Sequence, residues 1–198
     1  MKPMRVKLLI CHNRVAVLFN VISKTLSPEK GIETLLQAFA AMPRQRLVII
    51  GEGPESASSK ARFLEATNIT FMGKMEKEDV LSHMKRCRAL VFPSTWYEGL
   101  PFVIIEAFAT GTPVIASRLG AMAELINDGY NGYHFETGNS IDLQKKIELL
   151  LQNETEKRKR LYENARTTYL DKFHPRMLYQ TILSIYENVI NEKGYSDV

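Results

Sequence analysis

The sequence predicts an α/β fold in which a doubly wound parallel sheet is followed by C-terminal helices. Two observations predict the sheet. Six short runs are almost continuously apolar or β-branched, as strands buried on both faces are, and segments of helical period separate them. A third sets its limit: after about residue 139 only helical patterns remain.

The candidate strands are 17–23 (VLFNVIS), 46–51 (RLVIIG), 69–73 (ITFMG), 89–93 (ALVFP), 113–117 (PVIAS) and 132–136 (GYHFE). Helices are expected at 32–42, 55–66, 77–87, 101–110 and 120–127. Further on, SIDLQKKIELLLQ carries apolar residues at helical spacing behind a Ser140 cap. ETEKRKRLYENARTTYLDKF and PRMLYQTILSIYENVINEK follow, with Pro175 at a first helical position. This divides the chain into an extension or linker remnant at 1–16, an α/β unit at 17–174 and a terminal helix at 175–198.

Composition excludes several classes. The chain has 198 residues, 45% hydrophobic and 24% charged, in the ordinary globular range and far from disorder or a fibrous repeat. Its formal net charge of +4 is mild. The basic run at 157–160 has Glu154, Glu156 and Glu163 beside it and no interleaved aromatics, so it reads as a solvated helix face and not a nucleic-acid site. Cys11 and Cys87 lie in apolar stretches without metal-ligand neighbours, and His12, His83, His134 and His174 are scattered, so no metal is assigned. A reduced, cytoplasmic compartment is the simpler expectation. No run approaches the roughly 20 apolar residues of a membrane span. The basic and apolar N-terminus is interrupted by His12, Asn13 and Arg14 and reads as mature sequence.

The chemistry concentrates at EGLPFVIIE, 98–106. Pro101 opens a helix, where its missing N–H is of no consequence. The N–H groups of Phe102 and Val103, with Gly99 or Leu100 nearby, then face an anion, and the helix dipole assists them. Gly99 allows close approach of backbone to a ligand. Glu106 is an acid among Phe102, Val103, Ile104, Ile105, Ala107 and Phe108, where an unpaired charge is unfavourable. It sits about 7 Å along the helix, near the span from a nucleotide's phosphates to its ribose hydroxyls. A carboxylate can accept from both hydroxyls of a diol. Glu98 lies on the other side of the turn, toward whatever group follows the diphosphate. Taken alone, Glu106 would read equally well as an acid satisfied within the core, Glu98 as an exposed loop residue and Lys30 as a solvated lysine.

The Glu–seven residues–Glu spacing resembles that of retaining glycosyltransferases of family 4, which have the GT-B fold built of Rossmann-like domains. LSPEKGIETLLQAF (26–39), LVIIGEGP (47–54), ITFMGKM (69–75), VFPSTWYEGLP (91–101) and EAFATGTPVIASRLGAMAELINDGYNG (106–132) continue the resemblance in order. It implies a donor-binding C-terminal domain. Glu106 would hold the ribose of a UDP-, GDP- or ADP-sugar. Glu98 would contact the donor sugar and Lys30 the diphosphate, these two being the catalytic candidates. The backbone from Gly99 to Val103 would serve sugar and phosphate, and Gly73, Lys74 and Met75 would lie beside the nucleobase. Lys24 and Thr25 stand where the family has Gly–Arg, so a point charge replaces a bidentate fork at the diphosphate. No further cofactor or metal is implied. GEGP (51–54) lacks the third glycine of a dinucleotide fingerprint and reads as a turn near the ligand, while Trp96 and Tyr97 are expected to pack around the site.

The resemblance also implies an N-terminal acceptor domain, supplied in cis or in trans, with LLICHNRVAV as the remnant of the linker to it. Leu178, Ile182, Ile185, Tyr186 and Val189 of the terminal helix would then be partly exposed. A peripheral contact of the full enzyme with a membrane, at its inner face, is compatible with this reading. The alternative function is a nucleotide-sugar-binding subunit of a split transferase, inactive alone. An epimerase of the same fold and an NAD-dependent enzyme fit the motifs less well.

Overall fold

The structure, a computed structural model, describes residues 16–20, 28–52, 61–63 and 65–192. Lys24, Thr25, the remainder of the first expected strand after Asn20 and residues 55–60 of the second expected helix lie outside them.

Six strands form one parallel sheet: β1 (Ala16–Asn20), β2 (Arg46–Ile50), β3 (Ile69–Gly73), β4 (Ala89–Phe92), β5 (Val114–Ser117) and β6 (Gly132–Phe135). Their order is β3-β2-β1-β4-β5-β6. The helices are α1 (Ile32–Ala40), α2 (Lys77–Arg86), α3 (Phe102–Ala109), α4 (Ala121–Leu125), α5 (Ser140–Gln152), α6 (Thr155–Lys172) and α7 (Pro175–Glu192), with a 3-10 turn at Pro28–Lys30. All six strands thus arise where apolar runs predict them. The chain has the doubly wound α/β arrangement that the sequence predicts.

The period of two along each strand sorts its side chains onto two cores. Leu47, Ile49, Ala89, Val91, Ile115, Tyr133 and Phe135 face α1 and α5, where Ile32, Leu35, Leu36, Phe39, Leu143, Ile147 and Leu150 meet them. Ile50, Leu90, Phe92, Val114 and Ala116 face the opposite way, onto Val80, Met84, Val103, Ile104, Ala107, Phe108 and Met122. Leu161 of α6 joins the first core and Ala165 the second.

Where helix ends differ from expectation, a side chain explains the difference. α1 stops at Ala40 because the Asn68 amide donates to the carbonyls of Phe39, Met42 and Gln45, at 2.9, 3.2 and 2.8 Å. α4 stops at Leu125, whose carbonyl accepts from the Asn131 amide, while Asn131 Oδ1 accepts from the Asn127 N–H. Ser140 is not the cap of α5. Asn139 is, accepting from the Asp142 N–H at 2.9 Å, and Asp142 in turn accepts from the Glu136 N–H. Pro101 likewise stands at the cap position of α3, with ψ near 98°, and Phe102 is the first helical residue.

The reversal of strand order falls between β1 and β4. In doubly wound sheets such a reversal is where loops leaving the carboxyl ends of neighbouring strands diverge and ligands bind in the crevice between them. Among the described residues no helix is long and apolar enough to cross a membrane.

Candidate functional site

The segments on either side of this crevice are fastened together. Thr95 N–H donates to the Glu29 carbonyl at 2.8 Å. Gly31 (φ +69°) presses so close that a Cβ there would lie 1.9 Å from the Pro93 carbonyl oxygen. The glycine of PEKG therefore seats the 3-10 turn against the end of β4, and this seating brings Lys30 to Glu98. Lys30 Nζ donates to Glu98 Oε1 at 2.6 Å, with both side chains about one-fifth exposed (21% and 20%). The pair spans 68 residues of sequence and joins the two catalytic candidates.

Between Glu98 and Glu106 lies the start of α3. No side chain caps it, so the Phe102 and Val103 N–H groups have no intrahelical acceptor. A Cβ at Gly99 would meet nothing within 4 Å, so the glycine leaves open space over the turn. Leu100 and Phe102 are exposed and Pro101 is buried. The ring systems of Trp96 and Tyr97 are not packed around the site as expected but are 65% and 74% exposed, on the rim.

Glu106 resolves its unfavourable position only in part. Its Oε1 lies 3.1 Å from Lys77 Nζ at the start of α2. Its Oε2 is buried and accepts no hydrogen bond among the described residues. A buried carboxylate oxygen without a donor is an exception to the rule that buried polar atoms are paired. Gly73, Lys74 and Met75 run from the end of β3 directly into α2, so the Lys77 contact ties that loop to Glu106. Gly73 (φ +69°) turns the chain there, and its carbonyl accepts from Gly51 N–H at 2.8 Å, which brings Gly51 alongside, while Gly53 and Pro54 of GEGP lie outside the described residues. Met75 is partly buried and Lys74 exposed.

Three residues join the site without having been singled out in the sequence. Ser94, 1% exposed, donates to Glu98 Oε1 at 3.1 Å. Lys77 pairs with Glu106. Gly120 (φ +52°) lies under the 97–98 turn, where a Cβ would approach Tyr97 Cδ1 to 3.2 Å. Lys77 and Gly120 are fixed by contacts between segments far apart in sequence, Ser94 by Glu98 four residues on and by the Glu29 carbonyl, and only the run PST beside Glu98 offered any signal. Among the described residues no group of three His, Cys, Asp or Glu side chains is arranged to hold a metal ion.

Fold and site together define a doubly wound α/β domain with an ion pair and an uncapped helix start beyond the carboxyl end of β4, next to the reversal of strand order. The family model described as glycosyl transferases group 1 matches residues 17–168, and the chain belongs to that family. It is 32% identical over 183 residues to an uncharacterized glycosyltransferase of Methanocaldococcus jannaschii, covering 91% of this chain and 51% of that one. It resembles the crystal structure of Anabaena HepE in complex with UDP (TM-score 0.77, 25% identity, 89% of this chain and 49% of that chain). The same protein with UDP-glucose gives a TM-score of 0.75. The fold is also that of the C-terminal domain of a Francisella tularensis group 1 glycosyl transferase (TM-score 0.70, 22% identity, 81% of this chain and 87% of that one). The chain spans about half the length of curated relatives it matches.

Proposed function

We propose that this chain binds the donor of a retaining glycosyltransferase, a nucleotide diphosphate sugar, and presents its hexosyl group to an acceptor held by a second domain. One observation carries this reading. The 2.6 Å Lys30–Glu98 pair stands just before the uncapped start of α3, and Glu106, with one oxygen that accepts no bond among the described residues, lies on that same helix. Lys30, the α3 N–H groups and the Lys24–Thr25 segment take the diphosphate. Glu106 takes the ribose, Gly73 to Met75 flank the base, and Glu98 meets the sugar. As the nucleotide departs, the growing phosphate charge is met by donors already in place, which is how preorganised sites lower such barriers. No metal is assigned a part in that step, and the enzyme is assigned to the cytoplasm or the inner face of a membrane.

In this reading residues 17–174 are the donor-binding unit and 175–198 the helix that crosses to the acceptor-binding domain. The chain by itself binds donor and transfers little. A second reading, a binding subunit whose acceptor domain is another polypeptide, is favoured by the exposed apolar residues of α7.

Calorimetric titration with UDP, GDP, ADP and their glucose conjugates, on wild type and Glu106→Ala, tests the assignment. Uridine nucleotides are expected to bind best, since the HepE complexes hold UDP and UDP-glucose. Loss of the Glu106 bonds, each about 1.5–3 kcal/mol, should weaken them by at least roughly tenfold. Absence of binding by every nucleotide at millimolar concentration would overturn the reading.

A further inference from the structure

Ser94 lies two residues beyond the end of β4 and is almost wholly buried, at 1% exposure. Its hydroxyl oxygen is 3.1 Å from Glu98 Oε1, 3.3 Å from the Glu29 carbonyl and 3.4 Å from the Trp96 carbonyl, and it accepts from the Trp96 N–H at 3.3 Å. A hydroxyl has one proton for these three acceptors. The carboxylate is the nearest and the only charged one, and bonds to charged acceptors are roughly twice as strong, so the proton goes to Glu98. Lys30 donates to the same oxygen. Both donors therefore act on Oε1, and Oε2 is left to meet a ligand.

The two donors differ in what a bound nucleotide sugar does to them. A diphosphate competes for the Lys30 ammonium, a mobile point charge on a flexible stem. Nothing on such a ligand competes for a hydroxyl buried beneath the turn. We infer that Ser94 is a positioning residue that keeps the Glu98 carboxylate directed at the donor sugar when Lys30 turns to the diphosphate. This rests on the donor-binding reading of the crevice and adds a determinant of sugar recognition separate from nucleotide recognition.

The test is calorimetric titration of the chain with UDP and with UDP-glucose, the readout being the ratio of the two dissociation constants. Ser94→Ala is expected to leave UDP binding within about twofold and to weaken UDP-glucose by about fivefold or more, in line with loss of a hydrogen bond to a charged group. Ser94→Cys, close in volume but a weak donor, should move the ratio the same way, and Ser94→Thr should restore it. In a Glu98→Ala background, which has no side-chain acceptor, Ser94→Ala should have no further effect on the ratio. Equal weakening of UDP and UDP-glucose by Ser94→Ala would show that the hydroxyl only ties the loops together, and would overturn the inference. So would an unchanged ratio in the alanine and cysteine variants. A wild-type chain that binds neither compound would instead remove the donor-binding reading itself.

Discussion

Gly31 shows how far a single residue can set the site. Its backbone is left-handed, and the Pro93 carbonyl occupies the place of any side chain. Gly31→Ala should cost at least about 2 kcal/mol, from the combined conformational strain and backbone clash. It should also withdraw Lys30 from Glu98. Urea unfolding, followed by nucleotide titration of the variant at a temperature where it is folded, checks both effects. Glu106 is a different case. Its Lys77 partner is 66% exposed, so the pair adds little to stability. Glu106→Gln should melt within a few degrees of wild type while losing affinity for ribonucleotides. A matching stability loss would mean that the acid serves the core and not a ligand. The pattern of the sequence showed that an acid stands in an apolar helix, and it could not show which lysine 29 positions away would meet it, because Lys77 is brought there by the packing of α2 on α3.

At the scale of elements, α3 is held at both ends. Its last turn is met by Arg166 of α6, whose guanidinium donates to the Ala109 carbonyl and lies 5.1 Å from the centre of the Tyr169 ring. A cation at a helix C-terminus also interacts favourably with the helix dipole. Arg166→Ala should lower stability by about 1–2 kcal/mol in denaturant unfolding, through the lost bond and the lost stem packing. Asn139→Ala, which removes the cap of α5, should cost about 1 kcal/mol. The turn between α4 and β6 is fastened by Asp128, which accepts from the His134 N–H and from Arg118 Nη2 at 2.7 Å, with His134 Nδ1 3.2 Å away. Burial alone would raise the Asp128 carboxyl, but the His134 N–H, the His134 ring, Arg118 and Lys146 outweigh it and hold it below the ordinary 3.8. Its contribution is therefore complete above pH 3.8 and is lost as pH falls through the lower folded value. Asp128→Asn should flatten the dependence of stability on pH in that acid range, as read by thermal melts at stepped pH.

At the scale of the whole molecule, α7 is uncovered among the described residues. α7 carries Leu178, Tyr179, Ile182, Ile185, Tyr186 and Val189 at 44–64% exposure, and its residues join neither core. A chain ending at Phe173 should therefore keep its melting temperature within a few degrees, while the full chain should self-associate in sedimentation at high concentration. Ile182→Glu with Ile185→Glu should suppress that association and leave nucleotide binding intact. If the truncated chain fails to fold, α7 belongs to the core after all.

Strand positions, helix positions and the sheet class were determined by the sequence alone, because near-continuous apolar runs and helical periods are local patterns that burial on two faces demands. The Glu98–Glu106 spacing and the start of α3 were legible for the same reason, since they lie within nine residues of one turn and helix. Strand order, the Lys30–Glu98 pair, the contact of Ser94 with the Glu29 carbonyl and the contact of Lys77 with Glu106 were decided only by the tertiary structure. Each depends on which strands become neighbours, and that is settled by long-range packing, which no local window of sequence contains.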